Sequence, residues 1–163
     1  MENLKKKILK AIENDSRISV ADLAAELGVK DVDVANAITE MEEKKIICGY
    51  HTLINWDNTD EEIVTALIEV KASPQRGNGF DKIAERIMKF DEVNTIYLMS
   101  GGYDFCVIIE GKSMKEVSRF VFEKLSTLEC ILSTATHFVL KKYKDHGTVL
   151  EETAKKNRMI LSA

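Results

Sequence analysis

Apolar residues in the first fifty positions recur at helical spacing in three blocks. Leu4, Ile8 and Ile12 share one face of a predicted helix over 4–13, and Lys5, Lys6, Lys7 and Lys10 occupy the other. Asn14-Asp15-Ser16 is turn chemistry. Leu23, Ala24 and Leu27 give a second helix over 20–27. Ser19 can cap it, and Gly28 can end it because glycine tolerates a left-handed backbone. Val34, Ala37, Ile38 and Met41 mark a third helix from about Asp31 to Glu43. Two short helices around a glycine turn form a helix-turn-helix, here winged-helix-like, whose second helix can enter the DNA major groove.

Beyond residue 48 the pattern changes. Residues 49–55 (GYHTLIN) read as a connecting strand, and the polar stretch 56–62 marks a domain boundary. Alternating or apolar strand runs follow at 63–73, 93–99, 103–110 and 131–142. Helical spacing appears at 80–90, and again from Ser113 to about Leu125. Ser113 with Glu116 spells a capping box there. Pro74–Gly79 is a loop, and Gly101-Gly102 is a hairpin turn. The order β-α-β-β-α-β predicts a ferredoxin-like sandwich and, for the chain, an α+β fold. The expected divisions are a helix-turn-helix domain at 1–48, a linker at 49–62, a sandwich at 63–147 and a tail at 148–163. In the tail Glu151/Lys155 and Glu152/Lys156 support a helix. Only one face of such a sheet is covered by helices, so the other needs solvent or a partner. Tyr97, Met99, Phe105 and Val107 fall on one face or the other. Met99, Phe105, Phe120, Phe122 and Phe138 read as core or interface.

Charge complicates the picture of DNA binding. The chain carries 23 basic and 27 acidic side chains, a net −4. Residues 1–57 hold 8 basic and 11 acidic groups, so no domain is a strong electrostatic magnet. The helix over 31–43 holds Asp31, Asp33, Glu40, Glu42 and Glu43 and neither Lys nor Arg. Phosphates repel such a helix. Glu40, one turn beyond Asn36, is expected to face them without a cationic partner. The candidate DNA contacts are Asn36, able to bond adenine in a bidentate manner, and Thr39, able to meet a thymine methyl or a phosphate. Lys6, Lys10, Lys30 and Lys44, with Lys5, Lys7 and Lys45 beside them, can grip the phosphate backbone. A dimer presents every such lysine twice.

Other chemistry is sparse. Cys48, Cys106 and Cys130 are far apart and form no metal-ligand spacing, which fits reduced thiols. His51, His137 and His146 have no catalytic or metal-binding partners at recognisable spacing. No nucleophile set or phosphate loop is present, so neither enzyme activity, nor a cofactor, nor a metal is expected. No run approaches the ~18 apolar residues of a membrane helix. The N-terminus lacks a signal-peptide core, and a cytoplasmic protein without a membrane partner is expected.

Several fragments together resemble the Lrp/AsnC, or feast/famine, regulators. They are Arg17-Ile18-Ser19 and Leu23-Ala24, then Ile46-Ile47-Cys48-Gly49-Tyr50, then Ser100-Gly101-Gly102-Tyr103-Asp104-Phe105. The resemblance extends to about Leu150. It implies a DNA-binding regulator that forms dimers, associating up to octamers, and senses a small effector, typically an amino acid. It places the effector near the glycine turn, at Gly101, Gly102, Tyr103 and Asp104, with Ser100, Thr134 and Thr136 lining the same region. Turn N–H groups can receive a carboxylate there, and Asp104 can receive an ammonium. On this reading Asp104→Ala leaves the fold intact. Gly102 stands where the family commonly has Asp, and the family's recognition helix is usually rich in Arg and Lys. Siroheme decarboxylases resemble the same architecture but carry His and Arg at the central hairpin, where residues 96–103 have neither. The alternative within this fold is a sensor or assembly protein without independent DNA binding.

Overall fold

The computed structural model describes residues 2–74 and 79–150, which fall into two compact units divided after Leu53. In the first, α1 (Glu2–Asn14), α2 (Val20–Leu27) and α3 (Asp31–Glu43) bury Ile8, Leu23, Ala24, Val34, Ala37, Met41 and Ile47 among themselves. Ser19 Oγ accepts from the Asp22 N–H at 3.0 Å and donates to the Asp22 carboxylate, fixing the start of α2. Gly28 closes it at φ 66°, and the Val29 N–H reaches back to the Ala24 carbonyl. Lys45, also left-handed at φ 55°, turns the chain after α3 so that Ile46 and Ile47 both donate to the Met41 carbonyl.

The connecting strand expected at 49–55 does not form. That stretch finds no ladder partner among the described residues, and a lone extended segment is not a strand. A short 3₁₀ turn at Trp56–Asn58 follows.

The second unit comprises β1 (Val64–Ala72), α4 (Asp81–Ile87), β2 (Val93–Leu98), β3 (Phe105–Gly111), α5 (Met114–Phe120) and β4 (Ile131–Phe138). The sheet is antiparallel in the order β2-β3-β1-β4, the ferredoxin-like arrangement. Ala66, Ile68 and Val70 of β1 pair with Ile109, Val107 and Phe105 of β3, so all six face the helices and are buried with Ile83, Ile87, Val117 and Phe120. Phe105 meets Phe80 edge to face, ring centroids 5.7 Å apart.

Several boundaries differ from expectation. The second helix of the chain's C-terminal half passes from α5 into a π-helical turn at Val121–Leu125, closed by Ser126 N–H to the Val121 carbonyl. Ser113 caps α5 as expected, but Glu116 reaches back to the Lys112 N–H rather than to that of the cap. α4 ends three residues early, its last turn tightened by Lys89 and Phe90 bonding three residues back. β4 stops at Phe138, opposite Ala66, and beyond it only the Val139 N–H bond to the Thr65 carbonyl continues toward the start of β1. The helix expected from Thr148 starts instead as a strand. Here β5 (Lys144–Asp145) and β6 (Thr148–Val149) form a hairpin whose turn residues His146 and Gly147 both have positive φ. The rest of the expected tail helix, 151–163, lies outside the described residues.

The open face sorts the residues left ambiguous by sequence. Phe105 and Val107 point to the helices, whereas Tyr97, Cys106, Glu69 and Ala135 form a row on the other side, next to Ile108, Leu67 and His137. Tyr97 is 55% exposed there, and Met99 lies just past β2. Phe120 is core, Phe138 is half-buried against it, and Phe122 projects into solvent from the π turn.

Phe105 is buried to 1% at the centre of this core. Phe105→Ala should lower the unfolding free energy of the second unit by about 3–5 kcal/mol, read from urea denaturation. A loss under about 1 kcal/mol would show the core is not centred there.

Candidate functional site

The candidate DNA-binding face is the outer side of α3. Its buried side carries Val34, Ala37 and Met41, so helical geometry sends Val32, Asn36, Thr39 and Glu43 outward, and all four are exposed. Glu43 apart, the acidic groups of α3 lie off this stripe or are engaged. Asp31 and Asp33 sit in the first turn, where the helix dipole favours them. Glu42 accepts from the Tyr50 hydroxyl at 2.9 Å.

Glu40 overturns the expectation of an unpartnered carboxylate. Its Oε1 accepts from Lys5 Nζ of α1 and from Lys44 Nζ, each at 2.6 Å. One is reached across the helix packing and the other at i+4; the second was legible in the spacing but was overlooked, and the first left no signal in the sequence. The Lys44 hydrogen bond and then that of Lys5, with their charges, lower the Glu40 pKa from 4.5 to about 2. Glu40 in turn holds the Lys44 ammonium above its usual range. The triad carries a net charge of +1 where Glu40 alone would carry −1.

Lys44, a proposed phosphate contact, is thus already engaged, while Lys6, Lys10 and Lys30 are exposed and form no ion pair among the described residues. Lys30 is also the residue preceding α3.

In the second unit the β2–β3 connection, Met99–Asp104, contains the other candidate residues. Ser100, Gly101 and Gly102 are exposed, and Tyr103 and Asp104 are half-buried. Neither glycine has a positive φ, and a Cβ on either would meet nothing within 4 Å. Their contribution is open space beside the backbone, not a special torsion.

Asp104 is built into the sheet. Its Oδ2 accepts from the Ala72 N–H at 2.8 Å, its N–H donates to the Val70 carbonyl, and its carbonyl accepts from the Met99 N–H. The carboxylate thereby extends the β1–β3 pairing past Val70 and Phe105, at the point where the β1–β4 register shifts because β4 carries an extra residue, Leu132, opposite Lys71/Ala72. The expectation that its removal leaves the fold intact is corrected, because an almost buried backbone donor would lose its acceptor. Thr134 and Thr136 do not meet the turn within one chain. They lie on β4, paired with Val70 and Ile68 of β1, two strands and about 10 Å from β3. Thr134 lies 3.4 Å from the Ser126 hydroxyl.

Sequence reading missed a separate cavity of about 100 Å³ lined by Ile54, Trp56, Ile63, Thr65, Val139 and Leu150. Its walls come from irregular segments that leave no periodic signal. No cluster of three or more metal-ligating side chains occurs among the described residues.

Residues 65–149 match the Lrp/AsnC ligand binding domain, and residues 1–47 match a winged helix-turn-helix DNA-binding domain. The chain belongs to the Lrp/AsnC family of transcriptional regulators. An uncharacterised HTH-type regulator of Bacillus subtilis, YugG, is 46% identical over 156 residues, which cover 95% of this chain and 94% of that protein. The proline dehydrogenase transcriptional activator of Rhizobium radiobacter is 24% identical, across 86% of this chain and 90% of its own. AsnC of Escherichia coli superposes with a TM-score of 0.68 at 22% identity, covering 93% and 99% of the two chains. A Neisseria meningitidis transcriptional regulator in complex with L-Met superposes at 0.71 with 19% identity, covering 89% and 93%. These structural likenesses establish the fold.

Two outcomes follow for this Lrp/AsnC chain. Asp104→Ala should destabilise the second unit by about 1–3 kcal/mol and speed hydrogen exchange at the Ala72 amide, while Asp104→Asn, which keeps an oxygen acceptor, should largely preserve both. Equal behaviour of the two variants would show the carboxylate bond to be dispensable. For Glu40, the folded pKa lies below the ordinary one, so its stabilisation is complete above about 4.5 and is lost as the pH falls through about 2. The difference in melting temperature between the native chain and Glu40→Gln should shrink across that window. A constant difference would show that the ion pairs do not form in solution.

Proposed function

We propose that this regulator binds duplex DNA through the outward stripe of α3, with Asn36 and Thr39 at base edges and Lys6, Lys10, Lys30 and Lys44 on phosphates. The observation that carries this is the neutralisation of Glu40 by Lys5 and Lys44, which removes the main electrostatic objection to an acidic recognition helix. The protein acts by binding, not catalysis, and works in the cytoplasm where its DNA is.

We further propose that the second unit senses an amino acid at the β2–β3 turn. The open space over Gly101 and Gly102 supports this, as does the L-Met bound by the Neisseria relative of the same fold. Ser100, Tyr103 and the second oxygen of Asp104 are the nearby polar groups. Thr134 and Thr136 can join them only if a neighbouring chain brings its β4 close. Assembly has its own support: the open sheet face exposes Tyr97 beside Leu67, Ile108 and Ala135, an apolar surface that a second copy would dry. A dimer at least, growing toward an octamer, is the expected state. Light scattering that finds only an 18.4 kDa species at micromolar concentration would contradict it.

The DNA reading is tested by titrating the chain's own upstream duplex at about 50 and 200 mM salt. Glu40→Gln releases one positive charge, so it should bind all duplexes more tightly. Its affinity should fall about threefold further than that of the native protein between those salts. If neither protein binds any duplex at the lower salt, the chain is a sensor without DNA contact.

A further inference from the structure

Val32 is the one large apolar side chain that α3 turns to solvent, at 57% exposure, and it is absent from the packed neighbours of the first unit's core. It stays mostly exposed in the fold, and valine is a poorer exposed helix residue than alanine because its branched Cβ restricts the rotamers. It lies in the first turn of α3, one turn before Asn36, and on the same outward stripe as Asn36 and Thr39. In a helix-turn-helix, the N-terminal residues of the second helix reach the base edges. An apolar group there has one apolar target in the major groove, the C5 methyl of thymine.

We propose that Val32 is a specificity-determining residue that reads a thymine methyl next to the base contacted by Asn36. This rests on α3 being the groove-facing helix. The Val32 side chain offers two methyl groups and no hydrogen-bonding atom, so it rewards thymine and leaves the donor of cytosine without an acceptor. Asp31 and Asp33 flank it on the two shoulders of the helix, turned about 100° to either side. They lie off the stripe, so Val32 and Asn36 together form its leading edge.

The test uses a randomised duplex pool enriched on the native protein at low salt. The enriched duplex is then remade with each thymine in turn replaced by deoxyuridine, which removes only the C5 methyl. The native protein should lose about fourfold in affinity at one such position, the worth of one buried methyl. Val32→Ala should bind the thymine duplex about fourfold more weakly and show no further loss at that deoxyuridine. Its helix content should be unchanged, since alanine is the better helix former. Lys6→Ala, a phosphate-contact variant, should retain the full deoxyuridine penalty. The proposal is overturned if Val32→Ala keeps the penalty at every thymine, or if the penalty disappears in Thr39→Ser instead. It is also overturned if the native protein is indifferent to all the methyls. Failure of the native protein to enrich any duplex would overturn it together with the groove-facing role of α3.

Discussion

A single carboxylate oxygen, Glu40 Oε1, sets the electrostatics of the first unit. It joins α1 to the end of α3 through Lys5 and Lys44. The three groups are partly exposed, so the pairs add little to stability. Their consequence lies in the field the helix presents. Two ammonium groups are held no further apart than twice 2.6 Å, with one negative charge between them, and the cluster is cationic. With Glu42 bonded to Tyr50 and the two aspartates at the helix start, Glu43 is the acidic group left on the outward stripe. A helix whose charged residues are all acidic is therefore mixed in the charge it shows to solvent.

Asp104 plays the comparable part in the second unit, through the backbone rather than through charge. By accepting from Ala72 it joins the end of β1 to the start of β3, and by donating to Val70 it extends the ladder that Phe105 begins. The β2–β3 connection is fixed at its base and empty above its two glycines. An anionic ligand approaching this turn would meet exposed backbone and one aspartate whose Oδ2 is already engaged.

The two faces of the sheet differ in what they require. The helix-covered face closes on itself, from Ala66 and Ile68 to Val107 and Phe120. The other presents a mixed row in which Glu69 and His137 stand 3.4 Å apart between apolar neighbours.

The amino-acid sequence by itself determined the helices, their caps and the strand order. Ser19, Gly28 and Ser113 act within three or four residues of themselves, and the alternation in β1 is a local property of the chain. It also determined which residues stand at the β2–β3 turn. What it did not carry were contacts between distant positions: Lys5 with Glu40, Asp104 with Ala72, and Thr134 with Val70 rather than with the turn. The 49–55 stretch had strand-like residues but no ladder, because a strand exists only as a pair. Side-chain charge is written in the sequence, but whether that charge is free or neutralised depends on which helix packs beside it. That is why only the tertiary structure decided that Glu40 is neutralised by Lys5 as well as by Lys44.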